Sequence, residues 1–170
     1  MRSKRRSAAK AKRPKKPIYY IDESLGSRLP EELRRHGFKV VPHRKLFPAG
    51  VDDEAWCCEV GRLGYVALTK DSAMRSRPTE RNAIRAGRLR QFALCSGSMV
   101  AEAMATAFIR ARMSMEDLIH SRNGPFIARV SSTGRITSVS LYTDRGWVQA
   151  DPRGRGAPAR IPRLTPTRSR

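Results

Sequence analysis

Acidic residues are scarce in this chain, and their placement is what could do chemistry. The sequence holds 15 Asp and Glu against 35 Lys and Arg. Five of the acids fall in two short runs, Asp22-Glu23 and Asp52-Asp53-Glu54, and Asp71 stands alone behind Thr69-Lys70. Carboxylates drawn together repel and raise one another's pKa values unless they share a cation. Mg²⁺ and Mn²⁺ prefer oxygen ligands, and Mg²⁺ is commonly held by one or two carboxylates, waters and substrate phosphate oxygens. Such an ion can activate water for in-line attack on phosphorus and stabilise the leaving oxygen. Asp22, Asp53 and Asp71 are therefore candidate metal ligands and catalytic groups, with Glu23, Asp52 and Glu54 as additional acids. Each also has a plainer structural role open to it. Asp52 suits a helix N-cap, Asp53 and Glu54 suit the positive end of a helix dipole, and Asp22 or Asp71 could close an Asx-turn.

The elements that must position these acids follow from hydrophobic pattern. Ile18 to Ile21 and Tyr65 to Leu68 are short apolar runs that predict buried strands, each ending at a candidate acid. In open α/β sheets, ligands bind outside the carboxyl ends of parallel strands, so neighbouring parallel strands would bring Asp22 and Asp71 together. Between them Ser24 can cap a helix that Pro30–His36 continues or restarts, with Gly37 as its stop. A strand over 38–41 and a helix over 54–63 follow. This strand–helix alternation predicts right-handed parallel crossovers. A helix over 80–86 with Gly87 as its stop, a strand over 88–95 and a long Ser98-capped helix over 99–120 come next. Met104, Phe108, Ala111, Met115 and Leu118 form the apolar stripe of that long helix. Phe126 to Tyr142, around Ser132-Thr133-Gly134, predicts a β-hairpin. The expected organisation is a basic tail over 1–16, one α/β domain over 17–143 including the hairpin, and a Pro/Gly/Arg-rich basic tail over 144–170.

The formal charge of +20 is a statement about partners rather than fold: it favours polyanions such as RNA or DNA, or an anionic membrane surface. Residues 1–16 carry nine basic residues and no acid, and residues 145–170 carry seven Arg and one acid, Asp151. Lys70, Arg75 and Arg77, close to Asp71, are the expected contacts to an RNA backbone. No aromatic platform for base stacking is evident in the sequence, which favours recognition of backbone and shape. The three cysteines, Cys57, Cys58 and Cys95, make no Cys-x-x-Cys pair and suit a reducing cytoplasm. His36, His43 and His120 match no zinc spacing. No apolar run approaches the length of a membrane span, and no partner membrane is expected.

Ile21-Asp22-Glu23-Ser24-Leu25, the acids at 52–54 and Leu68-Thr69-Lys70-Asp71 together resemble the PIN-like domains. More closely, they resemble the VapC-like ribonuclease toxins of bacterial toxin–antitoxin pairs. The resemblance spans roughly residues 18–120. It implies a three-layer α/β/α domain with a mainly parallel central sheet, endoribonuclease activity dependent on Mg²⁺ or Mn²⁺, and a protein antitoxin as inhibitor. Asp22 matches the first metal acid of the family, Asp53 the middle one and Asp71 the later one, with Asp52 and Glu54 competing for the middle place. Many PIN domains carry a further acid just after the Thr-x-Asp position; Ser72-Ala73-Met74 follows here, which leaves a three-acid set. A non-catalytic RNA- or DNA-binding module on the same fold, with a degenerate metal site, is the competing expectation. A basic interaction protein whose acids are only helix caps is a third. The sequence leaves the oligomeric state open, a homodimer included.

Overall fold

The computed structural model describes residues 15–70, 77–95 and 97–155. Asp71 and Arg75 lie outside the described residues.

Seven strands form one sheet in the order β2-β1-β3-β4-β5-β6-β7. The first five, β1 (Ile18–Ile21), β2 (Lys39–Pro42), β3 (Val66–Thr69), β4 (Arg90–Cys95) and β5 (Phe126–Ser131), run parallel. β6 (Ile136–Thr143) and β7 (Gly146–Ala150) complete the sheet antiparallel. Side-chain alternation along each parallel strand feeds two helical layers. Tyr19, Ile21, Val66, Leu68, Phe92 and Leu94 enter one core, covered by α1 (Leu29–Arg35) and α4 (Ala101–Ser121). Tyr20, Ala67 and Ile127 enter the other, covered by α2 (Asp53–Arg62) and α3 (Pro78–Gly87). This is the three-layer α/β/α arrangement with a mainly parallel sheet that the sequence predicts.

The apolar stripe of α4 packs as expected, with Phe108, Ala111 and Met115 fully buried. Its position is less ordinary. α3 and α4 link consecutive pairs of neighbouring parallel strands, β3 to β4 and β4 to β5, yet they lie on opposite faces. The two crossovers therefore have opposite hands, where right-handed connections are the strong rule. Because α4 joins α1, the other face of β5–β7 is left without a helix of its own.

Several local expectations change. Of the two courses open after Ser24, the chain takes the restart: residues Glu23–Leu25 form a single 3₁₀ turn with Asp22, not Ser24, at its N-cap position, Gly26 at φ 79° ends it, and α1 starts afresh at Leu29. Ser98 is not the cap of α4, whose N-cap position is Val100. Gly87 is not a left-handed stop; Arg88 takes the αL conformation at φ 55°. Gly87 instead faces Gly61, where a Cβ on Gly61 would stand 2.2 Å from the Gly87 carbonyl oxygen. Two bare Cα atoms let α2 and α3 cross in backbone contact. The basic tail expected from residue 144 is corrected too. Gly146–Ala150 pairs along β6, and Asp151 then accepts hydrogen bonds from the Arg153 and Arg155 amides. Arg122 at the end of α4 donates to the Gly154 carbonyl, so the turn is tied back to the domain. Composition suggested a tail because Gly and Arg flank this strand, but Trp147 and Val148 find apolar cover on opposite faces of the sheet.

Candidate active site

Asp22 sits one residue beyond β1, where the strand hands over to the 3₁₀ turn. Its backbone amide donates to the Leu68 carbonyl at 3.0 Å, which continues the β1–β3 ladder by one rung. Its Oδ2 accepts from Thr69 Oγ1 at 2.8 Å and from Ser24 Oγ. Ser24 Oγ also accepts from the Lys70 amide at 3.1 Å. Thr69 is fully buried, so this hydroxyl is a fixed donor rather than a solvent contact. The carboxylate is held at the carboxyl ends of two neighbouring parallel strands, the position that the fold favours for a ligand. Among the described residues nothing hydrogen-bonds Oδ1.

Asp53 opens α2, one residue after the N-cap position of Asp52. Its Oδ1 accepts from Trp56 Nε1 at 2.9 Å, and Arg77 stands 3.7 Å from its Oδ2. Trp56 stacks on Tyr20 with ring centroids 5.0 Å apart, and Tyr20 lies two residues before Asp22. The Tyr20 hydroxyl meets Nδ1 of the buried His43 at 2.5 Å, while His43 Nε2 lies 3.3 Å from the Pro48 carbonyl. A carbonyl can only accept, so Nε2 carries the hydrogen and Nδ1 accepts from Tyr20. The floor beneath the acids is thus a hydrogen-bonded aromatic cluster. Burial pushes the Tyr20 hydroxyl far above its ordinary pKa, and Asp22, Cys57, Glu23 and Asp53 add to the shift. Burial likewise pushes the Cys57 thiol up, helped by Asp53, Glu80 and Asp22. Both core groups therefore feel the charges of Asp22 and Asp53.

Glu80 is the acid that sequence reasoning missed. It is 6% exposed and its Oε1 accepts from Arg77 at 2.6 Å. The available signal was Arg77-Pro78-Thr79-Glu80: proline favours the first helical position, which moves the helix start back to Pro78 and puts Glu80 in the first turn. Arg77, expected to contact RNA, bridges Asp53 and Glu80 instead of standing free. The remaining acids diverge. Glu23 turns toward Arg44 at 3.7 Å and His43 at 4.0 Å. Asp52 occupies the N-cap position without a side-chain capping bond, and Glu54 is exposed. Lys70 is half-buried, directly after β3.

Oxygen-only donors such as Asp22 and Asp53 suit a hard divalent cation, for which one or two carboxylates suffice. Among the described residues, no three His, Cys, Asp or Glu side chains are grouped to hold a metal. An open cleft of about 770 Å³ runs beside Asp22 and Glu23, with Glu31, Arg34, Arg44 and Lys45 along its walls. It approaches Asp22 from the β2 side, and Asp53 does not line it.

Residues 17–96 match the family model described as "PIN like domain". The matched stretch holds β1 to β4 with α1, α2 and α3, so this part of the chain is similar to the family that the motifs around Asp22, Asp53 and Asp71 resemble. A protein of Mycobacterium tuberculosis named "Putative ribonuclease VapC45" is 26% identical over 116 residues, which is 65% of this chain and 83% of that protein. No solved structure matches. No described helix is long and apolar enough to cross a membrane.

Proposed function

We propose that the protein is a metal-dependent endoribonuclease, a VapC-like toxin held in check by a protein antitoxin in a reducing cytoplasm. The observation that carries this reading is the placement of Asp22. The carboxylate is pinned across β1 and β3 by Thr69 and Ser24, and it shares the Tyr20–Trp56 floor with Asp53. The match to the PIN-like domains and the name of the M. tuberculosis relative support it.

Asp22 and Asp53 would hold Mg²⁺ or Mn²⁺, with Asp71 as the third acid of the set. The ion supplies Lewis-acid stabilisation of phosphoryl charge and lowers the pKa of water. The residues of this chain do the rest. Thr69 and Ser24 orient Asp22 by hydrogen bonds to its Oδ2. Trp56 does the same for Asp53 and excludes water from beneath it. Lys70, directly after β3, would supply a phosphate contact, and Arg75, outside the described residues, is expected to add another. Arg77 pairs with Asp53 and Glu80, and a cation held by Asp53 would free its guanidinium for substrate phosphate.

The test is cleavage of total cellular RNA by purified protein with Mg²⁺ or Mn²⁺, with EDTA, and with Asp22→Asn, Asp53→Asn and Asp71→Asn. Discrete fragments that need metal and vanish in each variant are expected. Arg77 also favours a second reading, a non-catalytic RNA- or DNA-binding module on a PIN-like fold, because a guanidinium already satisfies two of the acids. Intact RNA, bound equally well by wild type and Asp71→Asn, would decide for that module.

A further inference from the structure

The face of β5–β7 that α4 leaves open is not bare of chemistry. Tyr142 on β6 and Trp147 on β7 are register partners, and their rings meet edge-on with centroids 5.5 Å apart. α3 runs alongside. The Arg81 guanidinium lies 5.1 Å from the Trp147 ring centroid and the Arg85 guanidinium 5.6 Å from that of Tyr142. Arg85 also donates to the Tyr142 hydroxyl at 3.3 Å. The same face carries Gln149, which donates to Ser140 at 2.7 Å, and Arg129 on β5. The sequence offered no aromatic platform because Tyr142 stands 57 positions beyond Arg85, and Trp147 farther still from Arg81. Only the sheet order brings them together.

Arg77, Arg81, Arg85 and Arg88 recur at spacings of four, four and three, so they follow one side of α3 and the residue beyond it. At about 1.5 Å per residue the row is roughly 16 Å long. It begins at Asp53, near the carboxyl ends of the strands, and descends to the β6–β7 turn at the opposite end of β5. Aromatic rings lie under two of the guanidiniums, and a guanidinium both pairs with phosphate and stacks on a base. The turn itself adds Asp144 and Arg145, whose charges offset. A helix-bare sheet face with aromatic side chains, bordered by a row of cations, is chemically suited to a flexible single strand whose bases can splay out.

We propose that the α3–β6–β7 face, through Arg81, Arg85, Tyr142 and Trp147, binds single-stranded nucleic acid and leads it along α3 to the acids at Asp22 and Asp53. That this strand is the substrate rests on the ribonuclease reading; that the face binds a strand does not.

The experiment measures anisotropy of a short labelled single-stranded RNA on full-length Asp22→Asn protein in EDTA, so that the strand stays intact. Arg81→Ala/Arg85→Ala is expected to weaken binding about tenfold or more. It should also reduce the slope of log affinity against log salt by about two, one for each lost phosphate contact. Arg35→Ala/Arg110→Ala removes the same charge from exposed positions of α1 and α4 and is expected to stay within about twofold of the parent. Equal weakening by the two double variants would overturn the proposal, since net charge alone would then explain binding. Arg81→Lys/Arg85→Lys keeps the charge but not the plane and is expected to lose preference for single-stranded over duplex RNA; a preference equal to the parent's would also overturn it. Photocrosslinking of thiouridine-substituted RNA to unmutated protein gives a readout that needs no variant to fold. Crosslinks at Tyr142 or Trp147 support the face, and crosslinks confined to other regions reject it. Binding lost in Arg81→Ala/Arg85→Ala by a protein that never cleaves would keep this inference and discard the nuclease.

Discussion

The two sides of the sheet are built from different materials. The side under α1 and α4 is a broad, mostly apolar core, from Tyr19 and Phe38 through Phe92, Phe108 and Phe126 to Leu141. The side under α2 and α3 is small, and its buried members include a hydrogen-bonded Tyr20–His43 pair, a Cys57 thiol and the Glu80 carboxylate beside two facing glycines. These polar groups are buried with partners, Tyr20 on His43 and Glu80 on Arg77, so their burial fixes positions rather than leaving bonds unmade. This side thereby holds Asp53, Arg77 and the ring cluster under Asp22. One side of the sheet chiefly holds the fold and the other chiefly shapes the site.

That division can be broken by substitution. Phe108→Ala, in the middle of α4, is expected to destabilise by about 3–5 kcal/mol while leaving the specific activity of the folded fraction intact. Urea unfolding and an active-fraction-corrected assay check both halves. Gly61→Ala is expected to destabilise by about 1–3 kcal/mol, because its Cβ meets backbone rather than a side chain that can turn away. Here activity should fall as well, since parting α2 from α3 moves Asp53 and Arg77. If Phe108→Ala harmed residual activity more than Gly61→Ala, the division would not hold.

Thr69→Val sharpens the contrast at one atom. It keeps the shape and removes the hydroxyl that orients Asp22, so stability should change by about 1 kcal/mol. If that orientation is worth about 1.4 kcal/mol in the transition state, kcat falls roughly tenfold. The smallest shift is with pH. Tyr19, Tyr20 and Cys57 all have ionisations raised by burial first and by neighbouring charges second. The folded protein keeps these protons where the unfolded chain releases them, so stability is full below the unfolded values and declines as pH rises. The decline should begin near about pH 8.5, where an exposed thiol ionises, and steepen near about 10 with the tyrosines. Urea midpoints across that range test it, and Cys57→Ala should remove the onset at the lower pH.

Much of this was legible beforehand, for local reasons. Ile18–Ile21 and Val66–Thr69 are too short and too apolar to be anything but buried strands in this alternation, and each delivers an acid or its neighbour to a strand end. The stripe of α4 is a matter of spacing alone. Gly37 and Gly64 stop their helices at φ 76° and 73°, where residues with a Cβ are strained. Glu80 was illegible because a first-turn glutamate is ordinarily solvated; only the packing of α3 against α2 buries it. Gly87 looked like a cap because helix stops and helix crossings use the same residue for different reasons.

The sequence by itself determined the alternation of strands and helices, the strand-end position of Asp22, the helix-start position of Asp53 and the excess of positive charge. These follow from side-chain size, branching and ionisation within a few residues of chain. Tertiary structure alone decided that α4 shares a face with α1, that β7 extends the sheet, and that Arg77 closes on Asp53 and Glu80. It alone set Arg81 and Arg85 upon Trp147 and Tyr142. Those contacts join segments far apart in the chain, and strand order, which no local pattern encodes, is what chooses them.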